Sequence, residues 1–234
     1  MLYTEQTVRE NLRTREGKRV FYLGKGDQLT AAARDYLRGQ HIEILPAEQA
    51  KPEHYVTENG AIFREKPEFM THLHSNVLVP KTHPRIAFRG AMDTLEAELL
   101  LCQLATPSPI REQVGEVLDY ARELLRCEVL GEPVRERTVC GLSADELRKR
   151  SHLPQEYYGQ PHFMPSAADG EAILRLNRAR TAARAVELAA VQAFLGADGV
   201  PRRTDLLTAL NRLSSILYLF MIRLKAGEKH GKTG

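Results

Sequence analysis

Cysteine is scarce in this sequence, and its three cysteines, Cys102, Cys127 and Cys140, are widely spaced. A zinc site built from thiolates needs closely paired cysteines, and a disulfide framework needs an even and clustered set. The sequence therefore supports neither kind of crosslink. Because such cysteine usage is typical of a reducing compartment, we expect a cytoplasmic protein.

Long apolar runs and a strong net charge are also lacking. The longest apolar stretch, residues 216–222, is far shorter than the roughly 20 residues that cross a bilayer. Residues 1–6 show no secretory signal pattern. The formal net charge is +3, which is too small to indicate nucleic-acid binding. We predict that the chain binds neither a membrane nor a nucleic acid.

Two kinds of enzyme site are disfavoured because their residues are missing. No activated serine or cysteine nucleophile is apparent, and no Glu-x-x-His pair falls on a predicted helix, which argues against a di-iron bundle enzyme. His72 and His74 are two residues apart, a spacing that could suggest a metal. A place at the surface or at the edge of a ligand is the better interpretation, and we predict no metal site built from protein side chains.

The first part of the chain, residues 1–50, has the pattern of a small α/β unit. Strands are predicted over 19–23 and 41–45, with a helix over 31–39 between them and a further helix over 7–15. A helix between two strands favours a parallel pair joined by a right-handed crossover.

The rest of the chain divides into a linker and a helical part. Residues 46–66 contain two prolines and little periodicity, so we interpret 51–83 as a linker and nucleotide-binding segment. Four long apolar stripes at helical spacing follow, and Ser143–Glu146 is a capping box for a shorter helix. The pattern predicts a mainly α fold with an antiparallel five-helix bundle over 84–226. A flexible tail is expected over 227–234.

One predicted helix carries a polar stripe. Asn177, Arg180, Arg184 and Glu187 recur at three- and four-residue steps and therefore share one face. Two cations, an acid and an amide in a row suit a phosphate-bearing ligand, and Phe163, just before the helix, could reach an apolar partner. For any helix alone, such a stripe is more often a solvated face with weak ion pairs. The interpretation as a ligand site therefore needs support from other parts of the sequence.

That support comes from three blocks that resemble the ATP:corrinoid adenosyltransferases. Block 79–97 contains Gly-Ala-Met-Asp-Thr-Leu-Glu-Ala, which is similar to the family's Gly-x-x-Asp-Glu-Leu-Asn-Ala. Block 163–187 contains the Phe-Met-Pro and Arg-x-x-x-Arg-x-x-Glu elements, and block 209–214 resembles the family's Leu-Asn-Arg-Leu-Ser. The blocks occur in the family's order, and the resemblance spans roughly residues 66–222.

Further segments resemble the ethanolamine-utilisation branch of this family more than the propanediol-utilisation branch. These segments are 29–37, 66–73, 141–147 and 150–152. The chain lacks the Gly-rich phosphate-binding segment of the propanediol type, and residues 66–73 are its nearest substitute in chain order. It also lacks the cysteine metal motif that some ethanolamine-type members carry.

The resemblance implies a transferase that moves the 5′-deoxyadenosyl group of ATP to the cobalt of cob(I)alamin, with ATP, Mg²⁺ and cobalamin as the small molecules involved. It implies that Arg180 and Lys81 hold the triphosphate and that Arg184 pairs with Asp93. The implied catalytic residues are Arg184, Asp93, Phe163 and Arg180. The implied ATP-binding residues are Lys66, Thr71, His72, Lys81, Arg89, Arg180, Arg184, Glu187 and Asn211.

Phe163 and Met164 are the implied cobalamin contacts. Reduction of Co(II) becomes easier when the lower axial ligand is removed, and a hydrophobic side chain under the corrin ring would exclude that ligand and water. Thr94 and Ala97 stand where the propanediol type has Glu and Asn. The contacts that this helical turn makes therefore differ from those of the propanediol type.

Two other functions remain open from the sequence. The chain could be a non-catalytic carrier or sensor that binds cobalamin and ATP with the same fold, or a bundle scaffold associated with a bacterial microcompartment. The resemblance also implies a homo-oligomer, with a trimer favoured over a dimer, and a reductase or microcompartment proteins as further partners.

Overall fold

The structure is a computed structural model that describes residues 1–15, 17–47 and 54–231. Its chain forms two compact units, residues 1–81 and 82–234, and each is described by itself.

The first half of the N-terminal unit is built from five strands and two helices. The elements are β1 (Leu2–Tyr3), α1 (Glu5–Glu10), β2 (Arg13–Arg15), β3 (Lys18–Leu23), β4 (Gln28–Leu29), α2 (Ala31–Gly39) and β5 (Glu43–Pro46). Strands β3 and β5 pair in parallel, as predicted from the strand–helix–strand pattern. Thr30 caps α2 by accepting a hydrogen bond from the Ala33 amide. Apolar side chains of α1, β3 and α2, including Val8, Phe21 and Leu37, form a small core.

The predicted helix over 7–15 is wrong in its second half. The helix begins earlier, at Glu5, where Thr4 and Thr7 form a capping box, and it ends at Glu10. Arg13–Arg15 pair antiparallel with β3 instead. A strand of three residues is too short to give a detectable alternation of apolar and polar side chains.

The second half of the N-terminal unit contains a four-stranded sheet where the sequence suggested a linker. The strands are β6 (Tyr55–Thr57), β7 (Ile62–Phe63), β8 (Met70–His74) and β9 (Val77–Pro80), and their order is β7-β6-β9-β8. The interpretation of 46–66 as irregular is therefore wrong for β6 and β7, while residues 48–53 lie outside the described part. Turn residues separate these strands, so the local pattern showed no period.

The C-terminal unit is helical. Its helices are α3 (Pro84–Ala105), α4 (Ile110–Leu130), α5 (Ala144–His152), α6 (Pro154–Tyr158), α7 (Gly170–Phe194) and α8 (Thr204–Gly231). Helix α3 packs against α4 and α7, while α8 packs against α4, α5 and α7. The predicted capping box of Ser143 and Glu146 starts α5. The chain is therefore mainly α with small sheets in its N-terminal unit, as predicted.

The apolar stripes of these helices meet in one core. Phe88, Leu95, Val117, Leu176 and Leu213, from four different helices, are all buried there. Burying such stripes gives the main favourable free energy of folding.

Helix α8 is long and apolar enough to cross a membrane by length and composition. Its apolar residues Leu210, Leu217 and Phe220 are buried in the core of the helical unit, as expected for the central helix of a globular domain. Helix α8 continues to Gly231, into the segment predicted as a tail.

Candidate functional site

The polar stripe of α7 forms hydrogen bonds both along its own helix and across to α8. The Asn177 side-chain oxygen accepts hydrogen bonds from Arg180 Nε at 3.1 Å and from Arg180 Nη2 at 2.9 Å. About two turns beyond Arg180, Glu187 accepts a hydrogen bond from Asn211 Nδ2 at 2.7 Å. Arg184 is exposed between these two pairs. The structure thus brings together four of the predicted ATP ligands, Arg180, Arg184, Glu187 and Asn211, with Asn177. We call these five residues the stripe cluster.

Arg180 is a cation that no carboxylate neutralises within the described residues. Burial lowers the pKa of its guanidinium, the neighbouring charge of Arg184 lowers it further, and Tyr218 acts in the opposite direction. A guanidinium stays charged in proteins, so both burial and the charge of Arg184 make the environment of Arg180 unfavourable for its charge. Arg180 is therefore suited to receive an anion.

Asp93 and Arg184 do not meet within one chain. Both are exposed, and neither forms a side-chain hydrogen bond or ion pair with any residue that the structure describes. Their predicted pairing therefore remains a prediction and would need a second copy of the chain.

The segment that carries Phe163 is attached to α8 through its neighbour His162. One ring nitrogen of His162, Nδ1, lies 2.8 Å from the Tyr218 hydroxyl, and the other, Nε2, lies 3.2 Å from the His152 carbonyl oxygen. A carbonyl oxygen only accepts, so in the neutral ring Nε2 carries the hydrogen and Nδ1 accepts from Tyr218. The imidazole and phenol rings also stack, with centroids 5.7 Å apart.

Tyr218 also holds the backbone of Phe163. Burial raises the pKa of the Tyr218 hydroxyl, while a hydrogen bond with the Phe163 backbone and the nearby charge of Arg180 lower it. The Phe163 side chain packs at the edge of the helical core, whereas Met164 is 89% exposed. Tyr218 thus lies near Arg180 of the stripe cluster and also bonds the backbone of Phe163, one of the two predicted cobalamin contacts.

The resemblance implies that Arg89 binds ATP, but in the structure Arg89 already forms an ion pair with a buried carboxylate. The buried Glu128 of α4 accepts a hydrogen bond from Arg85 Nε at 2.6 Å on one carboxylate oxygen and from Arg89 Nε at 2.8 Å on the other. This triad joins the first turns of α3 to the end of α4. Its geometry gives Arg89 a role in holding these helices, and its contact with ATP remains a prediction.

The remaining predicted ATP ligands lie in the N-terminal unit. Lys66 Nζ donates to the Met70 carbonyl at 3.3 Å, and His72 Nδ1 lies 3.0 Å from the Ser75 carbonyl oxygen on the same hairpin as Thr71. Lys81 pairs with Glu68 at 3.3 Å at an exposed position. Such a pair contributes little free energy and leaves the ammonium available.

The residues that the sequence analysis missed are His162 and Tyr218. Tyr218 lies on the polar side of the last predicted helix, which could have marked it, but its partner 56 residues away leaves no local signal. Within residues 1–15, 17–47 and 54–231, no cluster of three or more His, Cys, Asp or Glu side chains could hold a metal ion.

Comparisons with known proteins agree with the sequence blocks. Residues 61–224 match the family model described as cobalamin adenosyltransferase. The corrinoid adenosyltransferase EutT of Escherichia coli strain K12 is 30% identical over 242 residues, which cover 94% of this chain and 90% of the relative. The EutT of Salmonella typhimurium strain LT2 has the same identity and coverage. The corrinoid adenosyltransferase PduO of Citrobacter freundii is 30% identical over 154 residues, or 63% of this chain and 44% of the relative.

Proposed function

The chain belongs to the cobalamin adenosyltransferase family, a family of transferases, and from this membership we propose its reaction. The chain transfers the 5′-deoxyadenosyl group of ATP to cob(I)alamin. The Co(I) electron pair forms the bond to C5′ of the ribose as the C5′–O bond breaks, which gives adenosylcobalamin and triphosphate. The observation that supports this proposal most directly is the stripe cluster, where Arg180, which has no carboxylate partner among the described residues, shares one face of α7 with the Glu187 that binds Asn211.

The first task of the protein is to hold the charge that develops on the triphosphate. Co(I) is itself a strong nucleophile, so catalysis comes from positioning and charge stabilisation. Arg180 is oriented by Asn177, which fixes its donors before the ligand arrives. Arg180 and Arg184 would bind phosphate oxygens, and Mg²⁺ would accompany the triphosphate and neutralise part of its charge.

The second task is to orient the nucleoside. The amide of Asn211 and the carboxylate of Glu187 hold each other at 2.7 Å. A fixed acceptor and a fixed amide suit the hydroxyl groups of a ribose or the edge of an adenine. We assign this role to Glu187 and Asn211.

Phe163 and Met164 supply the apolar contacts for the corrinoid. Tyr218 and His162 hold the backbone that carries them, which would keep the Phe163 ring in place against a lower axial ligand and water. The exposure of Met164 leaves its side chain free to cover a large flat substrate.

A homo-oligomer completes the proposed site. Asp93 shares its α3 face with the exposed side chains of Leu100 and Leu104, and Arg184 shares its α7 face with the exposed Leu188. Unpaired charges among exposed leucines are typical of a surface that another subunit covers. We propose that Asp93 of one copy pairs with Arg184 of another, in a trimer of five-helix antiparallel bundles, with a dimer as the alternative.

Four further residues are proposed as phosphate contacts from the resemblance. Lys66, Thr71, His72 and Lys81 would take the place of the Gly-rich segment that this chain lacks. The stripe cluster and the similarity to EutT favour a cytoplasmic enzyme that supports ethanolamine utilisation. A reductase and microcompartment proteins are its proposed partners.

An adenosylation assay tests this proposal. Incubation with ATP, Mg²⁺ and chemically reduced cobalamin should give the light-sensitive spectrum of adenosylcobalamin. Persistence of the reduced-corrinoid spectrum would contradict the proposal that the chain is an adenosyltransferase. Because the usual Gly-rich segment is missing, the alternative is a carrier or sensor, and tight binding of ATP and corrinoid without product would favour it.

A further inference from the structure

A cavity of about 380 Å³ opens in the helical unit between α4, the loop over 131–143, α5 and the first turns of α8. This size lies in the range of small-molecule sites. Part of its wall is apolar and aromatic, with Tyr120 from α4, Val139 from the loop and Leu147 from α5. The proposed reaction uses none of these residues.

The other part of the wall is rich in guanidinium groups. Arg135, Arg137 and Arg212 all line the cavity. Arg137 is paired with Glu123 at 2.9 Å, whereas Arg135 is exposed and has no side-chain partner in the described part of the chain.

Two acids also line the wall. Asp205 is paired with Arg203 at 3.0 Å, and Glu136 is exposed. Two further acids, Asp145 and Glu187, act on Arg212 without lining the cavity. Among the residues that line the wall, three arginines therefore face two acids.

Arg212 is the most informative of these groups. Its Nε is buried and has no hydrogen-bond partner among the described residues, although a buried polar group without a partner costs free energy. Burial lowers the pKa of Arg212, and the nearby charge of Arg148 lowers it further against the opposing effects of Asp145 and Glu187. Arg212 is therefore a partly buried cation whose side chain forms no hydrogen bond with a residue that the structure describes.

We propose that this cavity binds a small organic anion, with the guanidinium of Arg212 donating to its carboxylate or phosphate and with the apolar wall covering its carbon body. The site is distinct from the nucleotide contacts assigned to α7. It adjoins them, because Arg212 directly follows Asn211 in α8.

Calorimetric titration of the full-length protein tests the proposal with three matched probes: phenyl phosphate, benzoate and the uncharged phenol. At least one anion should bind, and phenol should bind at least tenfold more weakly. Arg212→Gln should weaken binding of the anion at least tenfold, whereas Arg202→Gln, in an exposed pair with Asp198, should leave it unchanged. Comparing the affinities of phenyl phosphate and benzoate shows whether the cavity prefers a phosphate or a carboxylate. Failure of both anions to bind would overturn the proposal, and so would loss of binding in Arg202→Gln but not in Arg212→Gln.

Thr208→Phe gives a second variant if Arg212→Gln does not fold. Thr208 is an exposed residue of the cavity wall on α8, so the larger ring can enter the cavity without disturbing the core. This variant should keep its circular dichroism and lose anion binding. Full binding in a folded Thr208→Phe protein would overturn the assignment of the cavity.

Discussion

At the scale of single residues, two arginines that the resemblance implied as ATP ligands have different surroundings. Arg180 is held by an amide and is uncompensated by any carboxylate in the described residues, while Arg89 shares a buried carboxylate with Arg85. A cation without an acid can bind a ligand, whereas a cation fixed on a buried acid stabilises the fold. The surroundings of these side chains therefore separate two roles that the resemblance had grouped together.

Matched substitutions should separate these roles. Arg180→Gln should lower the adenosylation rate by about 100-fold, because one preorganised donor to the developing charge is lost. Its free energy of unfolding should change little. Arg89→Gln should instead reduce the free energy of unfolding by about 2 kcal/mol, since the buried Glu128 loses one of two partners. Rate assays and urea unfolding measure both effects, and an Arg89→Gln enzyme that is stable but no longer binds ATP would reverse the assignment.

Tyr218 gives a second prediction at this scale. Tyr218→Phe removes the hydroxyl that holds His162 and the Phe163 backbone, while the ring stays in the core. We expect about a 10-fold loss of rate starting from Co(II) and a much smaller loss from prepared Co(I), because only the first reaction needs the lower ligand excluded. Phe163→Ala should show the same pattern. Equal losses from both starting states would contradict the positioning role.

At the scale of elements, one carboxylate joins the loop over 131–143 to the start of α8. Asp205 accepts a hydrogen bond from the Val134 amide at 2.8 Å. Burial raises its pKa, but hydrogen bonds from Arg203, Val134 and Leu206 outweigh burial and lower the pKa to about 2. The charged form of Asp205 therefore stabilises this junction.

The stability of this junction should depend on pH. Since the folded pKa lies below the unfolded value of about 3.9, the stabilisation is complete above that value and is lost as pH falls toward 2. Asp205→Asn should reduce the free energy of unfolding by about 2 kcal/mol at pH 7. The difference from the unsubstituted protein should narrow below about pH 4. Denaturant unfolding between pH 7 and pH 2 measures this difference in the free energy of unfolding. Asp198→Asn, in an exposed pair, is the control. A difference for Asp205→Asn that stays constant with pH would contradict the assignment.

At the scale of the whole molecule, the proposed site is incomplete in one chain. Asp93 and Arg184 are exposed and unpaired within the described residues, and leucines of the same helix faces are exposed beside them. A covering subunit would bury these leucines and provide each charge with its partner.

Charge reversal tests this arrangement. Asp93→Arg and Arg184→Asp should each lower activity by more than about 10-fold and shift the protein toward the monomer, because like charges would meet at the interface. The double reversal should restore the oligomer and part of the activity. Light scattering coupled to size exclusion measures the mass. Single variants that remain oligomeric and fully active would remove the pair from the interface.

The sequence by itself determined the helices, because the 3.6-residue period of apolar side chains is local and long enough in α3, α4, α7 and α8 to be read. It also determined the family blocks and the common face of Arg180, Arg184 and Glu187. The sequence did not reveal β6 and β7, since strands of two or three residues show no period.

Only the tertiary structure decided which side chains meet. The Glu187–Asn211 bond, the His162–Tyr218 contact and the Glu128 triad join residues that are 24, 56 and 39 to 43 positions apart. No sequence pattern could have shown that Arg212 Nε is buried. Periodicity reports which face of a helix is apolar, but the partner of a polar group depends on how the helices pack, and packing is a property of the folded chain as a whole.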